Sequence, residues 1–124
     1  MMIGIGLDLC EIARMERILS DTPHFLKRYF SPMEQDYIEG RGKAAAQSMA
    51  AMFAAKEAFL KAIGTGISGK LSLLDIQVRH EESGQPAYLL TETAQAALSA
   101  LGGNRALLSL THENGMAAAV AVIV

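Results

Sequence analysis

The stretch from Lys43 to Ile63 is the longest helical signal in the chain. It is rich in alanine, methionine, leucine and lysine, all good helix formers. Gly64 stands where a left-handed residue ends a helix. At about 100° per residue, Met49, Met52, Phe53, Phe59, Leu60 and Ile63 fall on one apolar arc. A helix of this length in 124 residues leaves room for one domain over residues 1–124 and no second. Lys56 lies in the middle of the apolar arc. A lysine there must either snorkel to water or meet an anion.

The remaining signals are shorter. Ile3, Ile5 and Leu7 alternate with Gly4, Gly6 and Asp8, a period of two that reads as a strand with one apolar face. Glycines on the other face suggest close approach by a backbone or a ligand. Glu11 to Leu19 reads as an amphipathic helix ended by Ser20-Asp21-Thr22-Pro23. Ser31-Pro32-Met33-Glu34 combines a cap, a first-turn proline and a capping-box glutamate. Leu74 to Val78 and Ala87 to Leu90 read as strands about the Glu82-to-Pro86 turn. Thr91 or Thr93 can cap an alanine-rich helix ending at Gly102-Gly103. Ala106 to Thr111 and Met116 to Val124 form strands around Asn114-Gly115, a strong hairpin signal. The last strand is almost wholly apolar, so both of its faces are expected to be covered. The class is α+β: a compact domain with an antiparallel sheet, one long helix and several shorter ones.

Charge and composition exclude several functions. With 11 Lys and Arg against 13 Asp and Glu, the chain lacks the basic surface of a general nucleic-acid binder. Its longest uncharged run, Ala44 to Ala55, is far short of the ~20 apolar residues of a membrane span. Asp8 and Glu11 precede any basic residue, unlike a signal peptide. One cysteine excludes an internal disulfide framework and suits a reducing, cytoplasmic setting.

Several residues could carry chemistry. Glu57 and Lys61 are four apart and adjacent on the helix surface, either an ordinary ion pair or part of a site. Gly64-Thr65-Gly66 is either a helix stop or an anion-binding nest. The Gly64-to-Leu71 stretch is not a phosphate loop, because Leu71 replaces the magnesium-binding hydroxyl residue and the stretch follows a helix. Asp8 ends a glycine-containing strand. It can cap the next helix, or join Glu57 in holding a hard cation whose shell substrate phosphates complete. His112 follows Ser109-Leu110-Thr111 and can touch phosphate or stay exposed. Arg14, Arg17, Lys27 and Arg28, interleaved with Phe25, Leu26 and Phe30, form either a solvated face or a dock for an acidic partner.

Taken together, Ile5-Gly6-Leu7-Asp8-Leu9 with Glu11-Ile12 and Arg14 resembles the first motif of the phosphopantetheinyl transferases. Phe53-Ala54-Ala55-Lys56-Glu57-Ala58-Phe59 with Lys61-Ala62 and Gly64-Thr65-Gly66 resembles their second. The order, the gap and the length are similar to the short bacterial branch, the holo-[acyl-carrier-protein] synthases. Leu71, Asp75-Ile76, Gly84, Pro86 and Ser109 to His112 extend the resemblance over nearly the whole chain.

The resemblance implies transfer of the 4'-phosphopantetheine arm of coenzyme A to a serine of apo acyl carrier protein, with release of adenosine 3',5'-bisphosphate, in support of fatty acid biosynthesis. By position, Asp8 and Glu57 would hold magnesium on the pyrophosphate. Lys61 would neutralise phosphate charge, and Lys56 with Gly64, Thr65 and Gly66 would help seat the phosphates. His112 would reach coenzyme A from a neighbouring subunit of a homotrimer, and the Arg14-to-Arg28 patch would face the carrier protein. Glu57, or a water oriented by Asp8, is the candidate base. Met52 stands where the family commonly carries an arginine that contacts coenzyme A, so that subsite is expected to differ. The alternatives are a catalytically weak module that binds coenzyme A or carrier protein, and a structural oligomer with no activity.

Overall fold

The computed structural model describes residues 1–64 and 71–124. The chain runs β1 (Gly4–Glu11), α1 (Ile12–Asp21), α2 (His24–Tyr29), α3 (Pro32–Glu39), α4 (Ala45–Ile63), β2 (Ile76–His80), β3 (Pro86–Leu90), α5 (Glu92–Ala100), β4 (Ala106–Glu113) and β5 (Met116–Ile123). Both sheets are antiparallel. One has the order β1-β5-β4 and the other pairs β2 with β3. The helix α4 lies against the inner face of the larger sheet and is buried over most of its length.

Small residues make that packing possible. Gly4 and Gly6 face α4 so closely that a Cβ on either would run into the carbonyl oxygen of Ala62 or Ala58. Across the sheet, Ala117, Ala119 and Ala121 are buried on the same side. The glycines therefore serve close backbone approach, as their place in a strand suggested. The apolar residues of β1 point the other way. Ile5, Leu7 and Leu9 are 58%, 62% and 61% exposed. The outer side of β5 is likewise only half-buried, so a single chain covers one face of that strand and not the expected two.

Local chemistry fixes the element ends. Ser31 and Glu34 form the anticipated capping box, Thr91 caps α5 through the Ala94 N–H, and Gly64 closes α4 at φ 77°. Asn114 and Gly115 both have positive φ, as a tight two-residue hairpin requires. Two expectations shift. Residues 73–75 form a 3-10 turn, because Ser72 and Asp75 cap each other, and the strand begins only at Ile76. The six-residue α2 carries no sequence signal of its own and is held between Pro23 and Phe30.

Gly6→Ala is expected to cost at least about 2 kcal/mol, since an overpacked backbone contact cannot relax by rotamer change. Urea unfolding of the variant and the unsubstituted chain measures the difference.

Candidate active site

The C-terminal half of α4 brings the candidate residues to β1. Asp8 shares the inward face of the strand with Gly4 and Gly6, and the Lys61 ammonium lies 2.9 Å from its Oδ1. The same ammonium donates to the Leu7 carbonyl at 3.1 Å. Lys61 stays 56% exposed at its side chain while Asp8 is 17% exposed. Glu57, one helical turn before Lys61, lines the same cleft as Asp8.

That cleft has a volume of about 420 Å³. Besides the two carboxylates it is walled by Leu9, Arg14, Phe25, Tyr29, Phe53 and Leu73. The Arg14 guanidinium sits 5.6 Å from the centre of the Phe53 ring, and Phe25 packs between Phe53 and Tyr29 at 5.7 and 4.7 Å. An acidic floor thus meets an aromatic wall topped by an arginine.

The charges are coupled. Burial raises the Glu57 carboxyl above the usual glutamate value, and the Asp8 charge adds to it, while Lys61 and Arg14 pull the other way. Lys61 is raised by its hydrogen bond to Asp8 and by that carboxylate's charge. Two carboxylates that destabilise each other's charge across one cleft are relieved by a divalent cation. Magnesium fits such a donor set, because it needs only one or two carboxylates and keeps waters or phosphates for the rest of its shell. No cluster of three or more His, Cys, Asp or Glu side chains suited to a metal occurs among the described residues.

Other predicted residues fall elsewhere. Lys56 does not seat phosphate: its side chain is fully buried, and its three N–H groups go to Glu34 Oε1 at 2.8 Å, the Leu73 carbonyl at 2.8 Å and the Ile76 carbonyl at 2.9 Å. Of the two fates open to a lysine in an apolar arc, it meets an anion. Burial lowers its pKa from the usual lysine value, and the Glu34 charge opposes that. His112 lies on β4, separated from β1 by β5, with Nε2 3.1 Å from Gln47 Nε2. Gly64 ends α4, and Thr65 and Gly66 lie outside the described residues. Met52 is buried in the core. In the basic patch, Arg28 sits over Tyr29 at 5.5 Å, Arg17 pairs with Glu11 at 3.4 Å, and Phe30 belongs to the core.

Sequence reasoning missed the aromatic wall as part of the cleft, and missed Glu34 as the partner of Lys56. Phe53 was read in the apolar arc of the long helix and Phe25 in the basic patch, with nothing in sequence to bring the two rings together. Glu34 was explained by its capping box, which gave no reason to look for a further partner of the same carboxylate.

This geometry defines a small α+β protein with an acidic cleft suited to a cation-bound phosphate ester. Residues 4–121 match the 4'-phosphopantetheinyl transferase superfamily. The chain belongs to that family. It is 45% identical over 123 residues to the holo-[acyl-carrier-protein] synthase of Treponema denticola, covering 99% of this chain and 98% of the relative. The crystal structure of the corresponding synthase from Neisseria meningitidis superposes with a TM-score of 0.88 at 33% identity, covering 99% and 98% of the two chains. The Helicobacter pylori synthase in complex with coenzyme A superposes with a TM-score of 0.81 at 32% identity, covering 97% and 99%.

The raised Glu57 carboxyl has a stability consequence. Its folded-state pKa lies above the unfolded value, so the native chain loses stability as pH rises through that interval. Glu57→Gln is expected to raise the melting temperature at pH 7, with the gain shrinking as the pH falls through that interval and lost below the ordinary glutamate value. Calorimetric melting at pH 4 and pH 7 checks both the sign and the window.

Proposed function

We propose that residues 1–124 act as one transferase domain that moves the 4'-phosphopantetheine arm of coenzyme A onto a serine of apo acyl carrier protein. The serine oxygen bonds to the phosphorus next to pantetheine, the bond to the bridging pyrophosphate oxygen breaks, and adenosine 3',5'-bisphosphate leaves. The serine proton passes to a base. The observation that carries the reading is that Asp8 and Glu57 line one cleft while Lys61 is bonded to Asp8, in a chain whose relatives over its whole length are holo-[acyl-carrier-protein] synthases.

Each residue has a role suited to its setting. Asp8 and Glu57 would hold magnesium, which supplies positive charge to the pyrophosphate when bound. Lys61, exposed at its side chain, neutralises charge on the leaving bisphosphate. Glu57, or a water oriented by Asp8, would take the serine proton. Arg14, which lines the cleft over Phe53, and Arg28, held on the Tyr29 ring, suit an acidic carrier protein. Because the nucleophile comes with the partner, the chain needs none of its own. Gly64, Thr65 and Gly66 remain the candidates for phosphate contact. Lys43 or Arg41 would substitute for the arginine that Met52 replaces.

We further propose a homotrimer with shared sites. The outward face of β1, with Ile5, Leu7 and Leu9, is an apolar surface of the kind that marks association. His112 lies two strands from Asp8 within one chain, so its contribution to a coenzyme A site calls for a neighbouring copy. The proposed setting is the cytoplasm, with fatty acid biosynthesis using the holo carrier protein. The free thiol of Cys10 suits a reducing compartment. No helix among the described residues is long and apolar enough to cross a membrane.

Incubation with coenzyme A, magnesium and apo carrier protein is expected to add the mass of the arm to the carrier. Asp8→Ala and Glu57→Ala are expected to lose transfer by about 100-fold or more while staying folded. Coenzyme A binding without any mass gain would favour the weak binding module. Sedimentation is expected to find a trimer, and Ile5→Glu with Leu7→Glu a monomer of much reduced transfer. A monomeric unsubstituted chain would remove the shared-site reading.

A further inference from the structure

The Lys56–Glu34 pair joins parts of the chain that the cleft needs at fixed separations. Glu34 Oε1 accepts from Lys56 and, at 3.0 Å, from the Ser31 N–H. Its Oε2 accepts from the Val78 N–H at 2.9 Å. With the two carbonyl bonds of Lys56, this closes a neutral, satisfied network among α3, α4 and the chain from Leu73 to Val78. The network lies behind three walls of the cleft. Leu73 gives Lys56 its carbonyl and also lines the cleft. Tyr29 precedes Phe30, whose ring centre is 5.0 Å from the Lys56 ammonium. Glu57 follows Lys56 on α4.

Stability alone does not call for such a pair. Apolar residues of matching volume commonly serve a core as well as a buried ion pair or better. What a satisfied network of directional bonds adds is a single geometry. We propose that the Lys56–Glu34 pair is the positioning element of the cleft, fixing Leu73, Tyr29 and Glu57 relative to one another so that coenzyme A meets the acidic pair in one arrangement. This rests on the reading of the cleft as the transfer site. Lys56 acts through the groups it holds and touches no substrate.

The test removes both charges together. Lys56→Met keeps the volume. Glu34→Gln keeps an acceptor for the Val78 N–H and can donate to one of the freed carbonyls. The double variant is expected to melt close to the unsubstituted chain, yet to lose kcat for arm transfer by about tenfold or more, with KM for the carrier protein unchanged. Ser31→Ala serves as a control that weakens the α3 cap and leaves the pair intact; its kcat is expected to stay at the unsubstituted level. A double variant with unsubstituted kcat overturns the proposal, as does a kcat that merely follows melting temperature across all variants. Should the double variant not fold, Glu34→Asp, which keeps both charges and shortens the reach of the carboxylate, decides. A lowered kcat at an unchanged melting temperature supports positioning, and an unchanged kcat overturns it. Absence of transfer by the unsubstituted chain would instead overturn the functional reading, and this proposal with it.

Discussion

The closeness of α4 to β1 is the constraint on which the rest depends. Gly4 and Gly6 give the helix backbone a surface with no side chains, and Ala58 and Ala62 meet it with carbonyls and small groups. Only at that separation can Lys61 reach both Asp8 and the Leu7 carbonyl. A strand of ordinary residues would push the helix outward, and the two carboxylates would cease to share a cleft. Packing and chemistry are therefore set by the same atoms: the helix that forms the core also carries Glu57 and Lys61 on the face that meets Asp8.

The helix carries two kinds of charge, separated by burial. Lys56 is sealed in the core and neutralised by Glu34 within hydrogen-bond distance. Glu57 and Lys61, the next charged residues along, are left accessible and only partly compensated. The buried pair is satisfied by hydrogen bonds; the outer set is two carboxylates with one exposed ammonium, which in the proposed reaction meet a cation and an anionic ester. Such a division suits in-line displacement at phosphorus, where catalysis is mostly positioning and charge neutralisation.

Much of this was legible before any coordinate. The capping box at Ser31, the stop at Gly64, the Asn114-Gly115 hairpin and the glycines of β1 each follow from a local rule that tertiary context did not override. Glu57 and Lys61 were readable as neighbours from helical spacing, and it was the resemblance to the phosphopantetheinyl transferases that joined Asp8 to them. What stayed hidden depends on long-range pairing. Lys56 sits among apolar residues in sequence, yet its anion is 22 residues away on another helix. The direction of the β1 faces was also hidden, because period two says that the faces differ without saying which one the helix covers. Ile5, Leu7 and Leu9 look like core residues and point outward.

That inversion links the proposed assembly to the proposed chemistry. Alternate residues of β1 serve opposite purposes: Gly4, Gly6 and Asp8 turn toward α4, while Ile5, Leu7 and Leu9 turn away from it. Leu9 belongs to both sides, since it is exposed on the outer face and also lines the cleft. Because the side-chain period of a strand is two, a one-residue slip in the pairing of β1 with β5 would turn Asp8 outward and bury the leucines against the helix. The glycine contacts forbid that slip, as no leucine fits where Ala58 and Ala62 press on the strand. One register therefore fixes both the acidic residue in the cleft and the apolar face beside it. A neighbouring copy seated on that face would stand at the rim of the cleft, which is how so short a chain can complete a site for a ligand the size of coenzyme A.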